Sequence, residues 1–263
     1  MAAMIKKEDI LWEDRQIIVC RKPAGLAVQT AGAGTMDLVS MIKNYLHSPY
    51  LGLVHRLDQP VEGLLVFAKT KQAAAELSRQ NREHFMGKRY YALALGSEGD
   101  AGERSFRTEQ FQLEKSQAGN SRIQESGWYV LEDFLKKEER GNHSQVVTKG
   151  ETGGKRACLQ YQKVQELESE NGMIQLLRIE LETGRHHQIR VQMAHHGLPL
   201  LGDRKYGSEE AVKAGIRYGI RDVALCCYEL EFHHPVTKKK MCFSLQPSWE
   251  LFSSEFRVSP AIN

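Results

Sequence analysis

No apolar run in the chain approaches the roughly 18 residues that a membrane-spanning helix needs, so a helical membrane span is excluded. Cysteine is scarce. Cys20, Cys158, Cys226, Cys227 and Cys242 make an odd count with no C-x-x-C spacing. Neither a disulfide framework nor a zinc cage follows, and the thiols read as reduced residues in or near a core. The nucleotide-cradling loop G-x-x-x-x-G-K-[ST] is absent, and Gly32-Ala33-Gly34 lacks the rest of a dinucleotide fingerprint. No H-E-x-x-H helix and no G-x-S-x-G elbow occurs. An excess of one charge sign is also missing: 36 basic against 33 acidic residues leave +3. A balance that mild is equally that of a solvated mixed surface, so the placement of the basic residues matters more than their total. The opening MAAMIKKEDILWED carries charge early and lacks the apolar core and cleavage site of a signal peptide. The expectation is a cytoplasmic protein.

What is present is an ordinary globular composition, 41% hydrophobic and 26% charged over 263 residues, enough for one substantial core without staples. Ile17-Ile18-Val19 reads as a strand, followed by the turn Lys22-Pro23-Ala24-Gly25. Ala31 to Gly34 reads as a loop, with Thr35 as the N-cap of a helix through Met36, Val39, Ile42 and Leu46. GLLVFAKT (63–70) is a buried strand. A helical stripe over 71–85 follows, through Ala73, Ala74, Leu77 and Phe85, then the strand YYALAL (90–95). Residues 97–127 are polar and unpatterned and read as a surface insertion; 136–156 look similar. Strands resume at about 157–166 and 173–182, residues 187–196 look helical, and strands at 222–232 and 239–245 flank a His233-His234-Pro235 turn. Strands outnumber helices and do not alternate with them, which favours a mixed or antiparallel sheet.

Three segments can carry chemistry. The first is Leu53-Val54-His55-Arg56-Leu57-Asp58-Gln59-Pro60 followed by Gly63, which sets an acid on a loop between core elements. The blander reading of Asp58 is a turn former. His55-Arg56-Leu57-Asp58 differs in order from the kinase H-R-D loop, and no kinase glycine loop accompanies it. The second is Lys88-Arg89-Tyr90-Tyr91-Ala92-Leu93-Ala94-Leu95-Gly96, a strand whose tyrosines alternate faces. They are either ordinary strand aromatics or include a buried hydroxyl free to bond. The third runs from Thr183-Gly184-Arg185-His186-His187-Gln188-Ile189-Arg190-Val191 to His195-His196. With Arg190 on a helix, His186 and His187 would be its i−4 and i−3 neighbours. Such a cluster can meet phosphate or a buried carboxylate; it can also be a charged surface. A metal site is not expected, because adjacent histidines do not share a helix face.

Taken in order, these segments resemble the RluA family of RNA pseudouridine synthases. His55-Arg56-Leu57-Asp58 with Gly63 and LLVFAKT is similar to the family's first motif, Lys88-Arg89-Tyr90 with A-x-A-x-G to its second. Thr183-Gly184-Arg185-x-His187-Gln188-Ile189-Arg190-Val191 is similar to the third, followed by Gly197-x-Pro199-Leu200, Leu201-Gly202-Asp203 and Tyr206-Gly207. Ile17 to Leu26 is family-like as well, and the match covers most of 10–96 and 155–247. The resemblance implies an α+β fold: a single catalytic domain over 1–263, on a mixed, mainly antiparallel central sheet, without a separate N-terminal RNA-binding domain. It implies uridine-to-pseudouridine isomerisation in ribosomal or transfer RNA by base flipping, with no cofactor, metal or membrane, in a monomer. It assigns Asp58, Tyr90 and Arg190 to catalysis and Arg56, Lys88, Arg185 and His187 to RNA binding. Arg190 would pair with Asp58 and hold its carboxyl below the usual range.

Two departures stand out. Val61-Glu62 replaces the family's frequent Thr-Ser, adding a second carboxylate, and Leu225-Cys226-Cys227 replaces Leu-His-Ala. The first leaves open a non-catalytic RNA-binding or RNA-folding protein on the same scaffold, or a hydrolase using Asp58 and Glu62.

Overall fold

A computed structural model of the chain describes residues 4–30, 36–96, 127–170 and 172–256. The elements run β1 (Ile10–Glu13), β2 (Ile17–Lys22), α1 (Leu38–Leu46), β3 (Gly52–Leu53), β4 (Glu62–Ala68), α2 (Lys71–Arg82), β5 (Gly87–Gly96) and β6 (Trp128–Lys137). They continue β7 (Ser144–Val147), β8 (Lys155–Ser169), β9 (Gly172–Leu181), α3 (Gln188–His195), α4 (Glu209–Arg217), β10 (Leu225–His233), β11 (Lys240–Ser244) and α5 (Glu250–Ser254). The strands form one sheet in the order β1-β2-β4-β10-β5-β9-β8-β6-β7, with β3 on β4 and β11 on β10. Every pairing between these strands is antiparallel except β4 with β10. The α+β, mainly antiparallel expectation holds.

Alternation along β5 divides the core. Tyr90, Ala92 and Ala94 face a cluster with Leu177, Ile179, Ile189 and Met193, on the side of α1 and α3. Tyr91, Leu93 and Leu95 face Leu176, Ala211, Ala214, Trp249 and Phe252, on the side of α4 and α5. Tyr91 stacks on Tyr228 there, ring centroids 3.9 Å apart. β4 is buried along its whole length because it lies between β2 and β10. That burial explains its unbroken apolar sequence from Gly63 to Ala68.

The helix after the first loop is capped by Asp37, whose carboxylate accepts from Ser40 N (2.7 Å), and not by Thr35, which lies outside the described residues along with 31–34. The insertion expected at 97–127 also lies outside them apart from Gly127. The second helix begins where the pattern placed it, with Thr70 accepting from Ala73 N. It stops at Arg82, and His84 turns the chain with φ +61, leaving Phe85 exposed off the stripe. The stretch 136–156 is only partly loop: it holds the end of β6, all of β7 and the start of β8, joined by turns at 138–143 and 148–154. Ser144 is its one buried residue, so the strands there carry no apolar period to read. Helices α4 and α5 were not anticipated, since α4 packs through Ala211, Ala214 and Gly215, which leave little hydrophobic signal. Four cysteines are buried and Cys242 is exposed, all as free thiols.

The parallel seam between β4 and β10 sets the approach to Asp58. Gly63 sits opposite Cys227 at φ +133, and a Cβ there would meet Cys227 N and O at 2.5 Å. Gly63→Ala therefore combines a left-handed conformation with a backbone clash. It should lower stability by about 3 kcal/mol or more, read as an earlier urea midpoint at unchanged m-value.

Candidate active site

The three chemistry-bearing segments converge on one cleft of about 1300 Å³, lined by residues of the Asp58 loop, β5, β9 and the start of α3. Each side chain owes its place to a local feature. Asp58 lies on the loop before β4, and that loop is tied down from below by Lys22. The Lys22 side chain is fully buried, and Nζ donates to the carbonyls of Gln59 (2.9 Å), Leu26 (2.7 Å) and Pro23 (2.9 Å). Burial brings its pKa down to about 8, with Asp222 and Asp58 opposing that shift, so the lysine is charged at neutral pH.

Arg190 is 4% exposed on α3. Its Nε and Nη2 donate to the two oxygens of Asp203 at 2.8 and 2.7 Å, a bidentate pair. The remaining Nη1 reaches Asp58 Oδ2 at 3.4 Å. Tyr206 covers the guanidinium, 5.1 Å from ring centre to Cζ. Asp203 also accepts from the backbone N–H groups of Lys205 and Tyr206, and Arg190 and these donors hold its carboxyl below the usual range against the opposing effect of burial.

Asp58 behaves differently. Its side chain is 27% exposed at the cleft. Burial raises its pKa, and the attraction of Arg190 reduces that rise without cancelling it. The expectation that Arg190 would hold Asp58 below the usual range is therefore corrected. The guanidinium is already committed to Asp203, and one long contact does not offset desolvation.

Tyr90 lines the same cleft, 6% exposed, with Cys227 directly across the β5–β10 pair. Burial pushes the phenol well above its usual pKa, so it stays neutral. His55 is buried and its pKa falls to about 3; Nε2 accepts from Val66 N at 3.4 Å.

Of the residues expected to bind RNA, Arg56 and Arg185 are exposed on the cleft wall, Arg185 donating through Nε to Arg156 O at 2.8 Å. Lys88 lines the cleft, half-buried and bonded to Asn81 Oδ1 at 2.8 Å. His187 is corrected as an electrostatic contact. Burial, His186 and Arg190 push its pKa down to about 3, so it carries no charge at neutral pH. Nor do His186 and His187 share a helix face with Arg190: α3 starts at Gln188, and His187 precedes it at φ +55. The histidines instead stack on each other, centroids 3.7 Å apart.

Glu62 points away from the cleft. It is 1% exposed and accepts from Ser248 N (2.8 Å), Ser248 Oγ (2.7 Å) and Arg21 (3.2 Å), which ties β4 to the chain before α5. Cys226 is buried in the cluster on the far side of the sheet. Sequence reasoning gave no role to Lys22, Asp203 or Tyr206, although all three sit in the stretches that carried the resemblance. Asp203 and Tyr206 each stand beside a glycine, and Lys22 ends an apolar strand just before the Pro23-Ala24-Gly25 turn.

The model of a family described as RNA pseudouridylate synthase matches residues 16–195. Proteins named ribosomal large subunit pseudouridine synthase D are similar: that of Vibrio parahaemolyticus is 30% identical over 89% of this chain and 66% of its own length. That of Xylella fastidiosa is 31% identical over 87% and 62%, and that of Zymomonas mobilis 29% over 90% and 68%. The chain thus spans about two thirds of these relatives' length. Two solved human structures share the fold, each with a TM-score of 0.65: RNA pseudouridylate synthase domain containing 1 (18% identity, covering 91% of this chain and 83% of that one) and domain containing 4 (20%, 94% and 91%). The RluA resemblance read from the motifs is borne out by these matches.

The two carboxylates should respond oppositely to amidation. Asp203→Asn removes the main partner of a buried guanidinium and should cost about 3–5 kcal/mol, measured by urea unfolding at pH 7. Asp58 has a folded pKa above its unfolded value, so its ionised form is the one the fold disfavours. That penalty is complete at neutral pH and is relieved as pH falls through the raised folded pKa. Asp58→Asn should then match or exceed the wild-type melting temperature at pH 7, and the difference should shrink toward pH 4.

Proposed function

The chain belongs to the RNA pseudouridylate synthase family, and from that premise we propose that it isomerises uridine to pseudouridine in ribosomal RNA, with Asp58 as the catalytic carboxylate. The observation that carries this reading is Asp58 itself: a partly exposed acid in a large cleft, 3.4 Å from a buried arginine and flanked by a neutral buried tyrosine. Ribosomal RNA is favoured over transfer RNA by the names of the similar proteins.

A uridine in a helix hides the atoms that react, so the nucleotide must be extruded at a cost of a few kcal/mol. The cleft has room for it. Asp58, ionised, acts as nucleophile on the nucleotide or stabilises a cationic sugar as glycosidase carboxylates do. The C1′–N1 bond breaks, the uracil turns, the C1′–C5 bond forms, C5 loses its proton and N1 gains one. Atoms balance without a co-reactant. Tyr90 lies against the base as a stacking or proton-handling group; base–aromatic stacking contributes about 1–3 kcal/mol. Arg190, fixed by Asp203, orients Asp58 and favours its charged form. Arg56 and Arg185, exposed on the cleft wall, meet the phosphates.

Incubating uridine-labelled ribosomal RNA with wild type should release pseudouridine on digestion, and Asp58→Asn should lower the rate by at least about 10³-fold. Equal product from the variant, or free uracil from wild type, would overturn the assignment. RNA affinity should fall steeply between about 50 and 200 mM salt, because phosphate contacts release counterions. Arg56→Ala and Arg185→Ala should flatten that slope and His187→Ala should not, as filter binding across a salt series would show.

A further inference from the structure

We infer that Tyr206 is a positioning residue: it selects the neutral tautomer of His187 in which Nε2 carries the proton and turns it toward Asp58. This rests on the proposed role of Asp58.

The hydrogen-bond geometry leads there in three steps. The backbone N–H of Ser144, at the start of β7, donates to the Tyr206 hydroxyl oxygen at 2.9 Å. That oxygen also lies 2.7 Å from His187 Nδ1. A phenol has one proton to give, and with the amide occupying a lone pair, His187 Nδ1 is the acceptor at hand. Nδ1 is then unprotonated, and the proton of the neutral ring sits on Nε2, which is 3.7 Å from Asp58 Oδ2.

The two tautomers have opposite effects on the acid. With the proton on Nε2, a neutral donor faces the carboxylate. With the proton on Nδ1, a lone pair faces it, and the phenol proton loses its acceptor. The ring has little freedom to avoid the choice. His186 stacks on it, and His186 is itself fixed by Ser144 Oγ at Nδ1 (2.8 Å) and Asn142 Oδ1 at Nε2 (2.8 Å). The groups facing His187 are Asp58, Asp203, Arg190, Lys205, His186 and Tyr206. The nearby cations and burial keep the ring neutral, its pKa near 3.

Such a donor suits the site. Arg190 gives two of its three donor nitrogens to Asp203 and one long contact to Asp58. A neutral N–H supports the Asp58 anion without bringing in a further charge that would itself need solvation. At 3.7 Å the contact is loose in the free protein. It strengthens when a nucleotide excludes water, as low local dielectric strengthens any hydrogen bond to an anion.

The test is nitrogen NMR of the full chain labelled with ¹⁵N-histidine, together with steady-state kinetics of Tyr206→Phe. In wild type, His187 should show the Nε2–H tautomer and should not titrate between pH 8 and 5. In Tyr206→Phe it should show a mixture of tautomers, and kcat should fall about tenfold with KM unchanged. A wild-type His187 protonated on Nδ1, or one that titrates near neutrality, overturns the inference, as does Tyr206→Phe with the wild-type tautomer and kcat. The spectra need no RNA, so they decide the tautomer even if the chain makes no pseudouridine. They also decide it from wild type alone if melting shows that Tyr206→Phe is unfolded.

Discussion

A guanidinium removed from water must be paired, and the buried Arg190 is the group around which the cleft is organised. Its chief partner, Asp203, is fixed by more than charge: one oxygen accepts two backbone N–H groups from the turn that follows. That turn is tight enough that a Cβ on Gly207 would meet Asp203 O at 2.4 Å. The same turn delivers Tyr206 over the guanidinium face. Because Asp203 takes both Nε and Nη2, the arginine has one direction left, and it points at Asp58. A carboxylate partly starved of solvent and given only a share of a cation keeps a raised pKa. It is a more basic and more nucleophilic oxygen than one held in a full bidentate pair, which Asp203 illustrates a few ångströms away.

Rigidity on the other side of Asp58 comes from Lys22 and the β4–β10 seam. An ammonium buried under three carbonyls fixes the turn after β2 against the carbonyl of Gln59, next to the acid. The parallel pairing of Gly63 with Cys227 fixes the strand that follows. Glu62, which looked from its position in the sequence like a second acid for the site, instead clips β4 to Ser248. This removes the structural basis for a two-carboxylate hydrolase. Of the two residues that depart from Thr-Ser, Glu62 is accommodated behind the sheet, while Val61 lines the cleft.

The parts of the fold that were legible in sequence are those whose burial is one-sided in a regular way or complete. The run GLLVFA read as a buried strand, and the stripe through Ala73, Ala74 and Leu77 announced the helix after it. β6 and β7 were missed because one face of β6 is wet and carries Glu132 and Lys136, so the apolar period is diluted. At the site, the motifs placed Asp58, Arg190 and Tyr90 in one cleft, but residue type alone misjudged their electrostatics. His187 read as a cation because histidine near arginine and glycine often meets phosphate. In the fold it lies between Arg190, His186 and a tyrosine hydroxyl, where a proton is disfavoured. Asp58 read as strongly paired because the competing acid at 203 lies 13 residues beyond Arg190 and was recognised only as part of a motif. Both errors have the same origin: a pair can be guessed from sequence, but the number of groups that share a partner cannot.

The corrected charges give the cleft a radial order that fits the proposed substrate. At its floor lie Arg190 and Asp58, with the buried Lys22 and Asp203 behind them, two cations and two carboxylates that balance when the acids are ionised. Around these lie neutral polar groups: the Tyr90 phenol, His55 and His187. Uncompensated positive charge is carried further out, by Arg56 and Arg185 at exposed positions. A uracil ring is neutral and needs donors, acceptors and an aromatic face; its phosphates are anionic and remain hydrated. A cleft with a cationic floor would draw phosphate inward and leave the base outside, the wrong way round for chemistry at C1′ and C5. Pairing Arg190 with Asp203 and keeping both histidines neutral would prevent that inversion, so for the proposed substrate the electrostatics of the interior and of the rim favour the same orientation.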